Sequence, residues 1–81
     1  LEVNVEKKFK VYPNPSSDQV HIQGDRDAYD IIVLRDMLGT VVEEFTQNET
    51  LDISNIPSGI YLLQFSLRGQ PVVDTVLLTI Q

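Results

Sequence analysis

Along this chain apolar residues return at every second position far more often than at helical spacing, and Pro, Gly, Asn and Asp punctuate the runs. That rhythm predicts strands throughout. Phe9 to Tyr12 is a short extended run stopped by Pro13-Asn14-Pro15, where two backbone donors are missing and Tyr12 and Asn14 are steered away from helix. Gln19 to Gln23 alternates, with Val20 and Ile22 on one face and His21 on the other. Tyr29 to Arg35 is apolar at both parities, which predicts a central strand covered on both sides. Asp36-Met37-Leu38-Gly39 reads as a turn whose Gly39 takes a positive φ, and Thr40 to Phe45 returns as the next strand.

Leu51 and Ile53 flank Asp52 in a short strand, and Ile56-Pro57-Ser58-Gly59 makes another corner. From Ile60 to Arg68, the residues Tyr61, Leu63, Phe65 and Leu67 share the apolar face. A turn at Arg68-Gly69-Gln70 closes a hairpin onto the last run, Val72 to Gln81, with Val72, Val76, Leu78 and Ile80 inward, Asp74 as the exception and Leu77 on the opposite face. Seven short strands with regular turn signals predict an all-β fold, an immunoglobulin-like antiparallel β-sandwich, with a closed barrel as the other arrangement compatible with the pattern. No segment has the length and period of a helix.

Composition narrows the chemistry. The 81 residues suffice for one domain, expected over residues 9–81, with residues 1–8 as a linker leading into it from the rest of a longer polypeptide. The absence of Cys removes disulfide staples, thiolate metal sites and cysteine nucleophiles, so packing must hold the fold together. A net charge of −6 opposes the phosphate backbone of nucleic acids, and no run approaches the ~18–20 apolar residues of a spanning helix. Neither nucleic acid nor membrane insertion is expected.

The candidate chemical sites are thin. His21 is the only histidine and lies on the polar side of its strand, so no metal or other cofactor is expected there. Asp25-Arg26-Asp27-Ala28-Tyr29-Asp30 begins like a calcium loop but lacks the glycine and terminal glutamate of that motif, and reads as a solvated hairpin loop. Ser16, Ser17, His21 and nearby aspartates could be combined on paper into a triad, yet no nucleophile elbow surrounds either serine, and no enzyme is expected. Tyr61 is expected to pack in the core with its hydroxyl reaching a partner at the rim. The last strand keeps the strongest functional reading. With apolar residues on both faces it invites a partner strand, or a second copy of the chain in a homodimer through edge strands, the alternative being a strand simply buried in this domain's second sheet.

In order along about seventy residues, Val11-Tyr12-Pro13-Asn14-Pro15, the block Ile31 to Gly39 with its Asp36-x-x-Gly39 turn, and the block Leu51 to Tyr61 carrying Pro57, Gly59 and Tyr61 resemble the C-terminal sorting domains of proteins exported by the type IX secretion system of certain Gram-negative bacteria. The resemblance implies a seven-stranded sandwich that is not catalytic and serves as an export address for a cargo attached on its N-terminal side. It also implies passage through the periplasm, recognition by outer-membrane type IX components, and a destination at the cell surface or in the medium, often after removal by a sortase-like surface peptidase. The recognition signal it implies is the final strand, here Val76, Leu77, Leu78, Thr79, Ile80 and Gln81. Family members usually carry Lys or Arg in or at the end of that strand, whereas Asp74 to Gln81 contains neither. An immunoglobulin-like accessory binding module of a surface protein is the second reading, weakened by the absence of Trp and by only six aromatic residues, three Tyr and three Phe.

Overall fold

Each alternating run forms a strand where it can bury one face against a facing sheet. The computed structural model describes residues 9–46 and 49–81, so the linker expected over residues 1–8 lies outside the described residues, as does part of the connection after Thr46. The strands are β1 (Phe9–Tyr12), β2 (Gln19–Gly24), β3 (Ile31–Asp36), β4 (Val41–Thr46), β5 (Thr50–Asp52), β6 (Gly59–Ser66) and β7 (Val72–Ile80). They make a three-stranded sheet in the order β1-β2-β5 and a four-stranded sheet in the order β4-β3-β6-β7, and every pairing is antiparallel. Apart from one bridge between Ser16 and Ile80, no ladder joins the two sheets among the described residues. The result is an open sandwich rather than a closed barrel.

An immunoglobulin constant-type sandwich puts its fourth strand beside the fifth. Here β4 pairs with β3 instead. The turn at Asp36–Gly39 explains the change, because its Gly39 amide reaches the Asp36 carbonyl at 3.0 Å and the Asp36 amide reaches the Thr40 carbonyl at 3.0 Å, which folds β4 directly back on its predecessor.

The core lies between the sheets and is built from alternate residues of both. Val20, Ile32, Leu34, Leu63, Phe65 and Leu78 are completely enclosed. At one end three aromatic rings meet: Phe9 stacks on Phe65 with centroids 4.5 Å apart, and Tyr29 stands edge-on to both, at 4.9 and 5.4 Å. This contact ties β1 of one sheet to β6 of the other. Burial raises the pKa of the Tyr29 hydroxyl above its ordinary value, an effect opposed by the positive charge of Arg26.

Four local expectations are corrected. β3 buries Ile32 and Leu34 on its inner face, but Ile31 and Val33 on the outer face stay half-exposed because no layer of the described residues covers that side. The strand after Gly59 ends at Ser66, leaving Leu67 in the turn and exposed, with the Gln70 amide bonded to the Leu67 carbonyl and Gly69 at φ 76°. Val72 faces solvent rather than the core. Phe65 pairs with Asp74 and Ser66 with Val72, so Val73 is an extra residue, and this bulge inverts the alternation before Asp74 and turns Val73 toward the core. Finally, Asp25 to Asp30 is not a hairpin loop but a crossover between sheets, containing a single 3-10 turn over Arg26–Ala28 capped by the Asp25 carboxylate.

Replacing Phe65 by Ala should remove the centre of the aromatic cluster and cost ~3–5 kcal/mol, a large share of the ~5–15 kcal/mol available to a small domain. The exposed Val72→Ala change should stay within about 0.5 kcal/mol. Urea denaturation of both variants checks the contrast, and a Val72→Ala loss well above about 0.5 kcal/mol would show the buried Val72 that uninterrupted alternation requires.

Candidate functional site

The last strand, β7, lies at one edge of the four-stranded sheet, and among the described strands it forms a ladder with β6 alone. Its C-terminal half is half core and half surface. Leu78 and Ile80 are buried between the sheets, Val76 packs against the same core, and Leu77 projects outward with 52% of its surface exposed between half-buried Thr75 and Thr79. In an antiparallel edge strand, alternate residues turn both backbone groups away from the neighbour, and on β7 these belong to Leu77, Thr79 and Gln81. Left bare, they would be a template for any passing strand.

They are not bare, because the segment from Pro13 to Ser16 lies along them. The Asn14 side chain grips two residues, its Nδ2 donating to the Leu77 carbonyl at 2.8 Å and its Oδ1 accepting the Thr79 amide at 3.0 Å. Ser16 continues with its backbone: its amide donates to the Thr79 carbonyl at 3.0 Å and its carbonyl accepts the Gln81 amide at 2.8 Å. Pro13 and Pro15, each following a cis peptide bond, have no amide hydrogen, so side-chain hydrogen bonding by Asn14 supplies what the backbone there cannot. Ser16 is itself buried, and its hydroxyl donates to the Gln19 carbonyl at 2.6 Å, which fixes the return into β2. Farther along the edge, Asp74 takes the Phe9 amide on Oδ2 at 3.1 Å and the Thr75 amide on Oδ1 at 2.9 Å. The one charge on the inner face of β7 therefore joins β7 to β1.

The other motif blocks arrive at the same end of the sandwich. Asp36 of β3 pairs with Tyr61 of β6, which pairs with Leu78 of β7, and Gly59 pairs with Ile80. The Tyr61 ring is buried, and its hydroxyl donates to the Pro57 carbonyl at 2.6 Å, closing the corner before β6. At Gly59 the same ring covers the backbone, 3.4 Å from where a Cβ would stand. Asp36 also organises its turn, accepting the Leu38 and Thr40 amides on Oδ1 at 3.0 and 2.9 Å, while Gly39 takes φ 90° and its carbonyl accepts from Arg35 Nη1 at 2.8 Å. In the Leu51–Tyr61 block, Asp52 accepts both the hydroxyl and the amide of Ser54, at 2.6 and 3.0 Å, and these bonds hold its carboxyl below the usual range.

The remaining polar candidates are committed elsewhere. His21 lies on the face away from Val20 and Ile22, with Nδ1 3.1 Å from the Thr50 hydroxyl and its ring 5.5 Å from that of Tyr12. Ser16 directs its hydroxyl to Gln19 rather than to this histidine. A shallow cleft of about 400 Å³ runs past Pro13, Pro15, Ser17, Gln19, His21 and Gln81. In the would-be calcium loop, Asp25 caps the Asp27 amide and Asp30 the Arg68 amide, while Arg26 pairs with Glu49 at 2.9 Å. Among the described residues no three His, Cys, Asp or Glu side chains converge as metal ligands, and no helix is long and apolar enough to cross a membrane. Sequence reasoning missed Ser16 as an edge contact. The signal was available in the two prolines, which leave the first residue after them as the next backbone donor.

A family model described as the secretion system C-terminal sorting domain matches residues 10–79. The chain belongs to this family. The match covers all seven strands except the end residues of β1 and β7, so it takes in both sheets and the three motif blocks. It makes the chain a type IX secretion sorting signal, a kind of domain that is generally non-catalytic and is recognised by that machinery as part of a larger cargo protein bound for the cell surface or the medium. No curated protein and no solved structure matches the chain significantly.

Because its pKa is lowered on folding, Asp52 stabilises this sorting domain above the ordinary carboxyl value of about 4 and loses that contribution as pH falls through the folded value. A carbon-detected NMR titration should place the Asp52 midpoint below that of a free aspartate. In Ser54→Ala the midpoint should move back up, since the stronger of the two bonds is gone.

Proposed function

We propose that residues 9–81 form a self-contained export address whose reading element is the C-terminal half of β7, Val76–Gln81, and that residues 1–8 link it to the cargo. The observation that carries this reading is convergence: Asn14 bonds Leu77 and Thr79, Tyr61 and Gly59 pair with Leu78 and Ile80, and Asp36 pairs with Tyr61 one strand farther along the same row. Motif residues spread over some fifty positions thus act on one short strand. Tyr12, Pro13, Asn14, Pro15, Asp36, Gly39, Pro57, Gly59 and Tyr61 then have positioning roles, and the surface that they present outward is centred on Leu77.

Outer-membrane components of the type IX system are the partners in this reading, met after the cargo has entered the periplasm. A sortase-like surface peptidase then removes the domain, cutting on its N-terminal side. The route suits an acidic domain without Cys, since its fold needs no disulfide. A homodimer through the edges of the four-stranded sheet is disfavoured, because β7 is already covered by Pro13–Ser16 and β4, at the other edge, exposes Glu43 and Glu44, whose like charges would face each other.

The test is export of a periplasm-directed reporter fused to this chain in a host with a working type IX system. Deleting Val76–Gln81 is a poor probe by itself, because it removes Leu78 and Ile80 from the core. Leu77→Glu is better: the side chain is exposed, so stability should change by no more than about 0.5 kcal/mol. The expected outcome is a folded fusion that accumulates in the periplasm. Full export of the Leu77→Glu fusion would show that the outward side chains of β7 are not what is read.

A further inference from the structure

The two sheets turn different outer faces to their surroundings. On the three-stranded sheet the cross-strand pairs Lys10–Gln23, His21–Thr50 and Gln19–Asp52 make a largely polar surface. On the four-stranded sheet Val41 and Arg35 stand in one row with Leu62 and Leu77, flanked by Val33 and Ile60. Five of the eight large apolar side chains exposed among the described residues lie on this face or at the tip of its β3–β4 turn: Met37, Leu38, Val41, Ile60 and Leu77. Leu38 is 92% exposed, and the turn that carries it is held by the Asp36 carboxylate. Such a concentration marks a docking surface.

A cation stands in the middle of it. Arg35 is half-buried, and its guanidinium is held by two neutral acceptors, Gln64 Oε1 and the Gly39 carbonyl, each at 2.8 Å. Among the described residues no carboxylate forms an ion pair with it, although the chain has twelve acidic residues against six basic ones and Glu44, opposite Val33, lies on the same face. An apolar partner laid over this row would strip water from a pinned charge, and an anion set among the partner's own aliphatic groups is what offsets that cost. A lipid surface fits less well, since the net charge of −6 opposes an anionic membrane and one cation in the row does not overcome it.

We infer that the outer face of the four-stranded sheet docks on a protein surface that presents a carboxylate within an aliphatic patch, with Arg35 receiving the carboxylate and Val41, Leu62 and Leu77 covered by the aliphatic groups. The inference rests on the proposed reading in which Leu77 faces the export machinery, and it adds the partner's chemistry. Arginine ringed by apolar side chains makes an energetic centre for an interface, because its planar fork meets a carboxylate with paired hydrogen bonds.

The test uses the same reporter fusion and host, with Arg35→Gln, Gln64→Glu, Arg35→Lys and, on the other outer face, Lys10→Glu. Gln64→Glu is the deciding variant: it keeps the arginine and brings a carboxylate to the guanidinium, so it strengthens a merely structural contact while neutralising the charge offered to a partner. Arg35→Gln and Gln64→Glu are expected to lower the exported fraction at least ~10-fold while the fusions stay folded in the periplasm, with Arg35→Lys intermediate and Lys10→Glu unchanged. If Arg35→Gln does not fold, Gln64→Glu decides by itself. Full export of either variant would overturn the inference. Should Leu77→Glu be blocked in that case, the reading of β7 stands without it; should Leu77→Glu be exported too, both fall. Flotation of the purified fusion with phosphatidylglycerol vesicles that Arg35→Gln abolishes would overturn it in favour of a lipid partner, and a dimer seen by sedimentation that Arg35→Gln dissociates would overturn it in favour of a second copy.

Discussion

Along the outer edge of β7, backbone groups of Leu77, Thr79 and Gln81 point away from β6, the strand with which it forms a ladder. In a small sandwich such groups must meet water, a partner, or the chain itself, and an apolar edge strand left open is an aggregation hazard. This protein uses its own chain. The residues between β1 and β2 run across from the three-stranded sheet to the four-stranded one, and Asn14 and Ser16 satisfy the edge. Much of the sandwich geometry follows, because this crossing and the Asp74–Phe9 contact fix how the two sheets sit on each other.

Between these two ties lies a core that has to suffice without a disulfide. The Phe9–Tyr29–Phe65 cluster anchors one end, and Tyr61, Leu78 and Ile80 fill the other. Polar groups in the corners are spent on backbone: Asp36, Asp52, Asp25 and Asp30 each accept amides in turns, which is why a chain with twelve acidic residues shows no assembled acidic site among the described residues. Acidity here is largely turn chemistry and solubility.

A sorting domain must be read alike whatever cargo precedes it, and a signal held in a rigid frame meets that need better than a loose tail. In the proposed reading the motif blocks supply the frame. Asp36 and Tyr61 lie on one antiparallel row that runs on to Leu78, and Asn14 meets β7 from its outer edge. The bulge at Val73 belongs to the same frame, since it turns Asp74 to meet Phe9 while keeping Leu78 and Ile80 in the core.

The seven strands, their order and the main turns were legible in the sequence, because strand alternation has period two and Pro, Gly and Asp mark corners by local sterics and hydrogen bonding. The inward faces of β2 and β6 and the turn at Gly39 could be named from those rules alone. Local rules failed where one extra residue or one missing layer changed the outcome: Val72 turned outward by a bulge, and the outer face of β3 left half-exposed. Only the tertiary structure decided which sheet β4 joined and which segment covered β7. Asn14 and Thr79 are 65 positions apart, and no periodicity reaches that far; their contact exists because two packed sheets bring the start of the domain alongside its last strand.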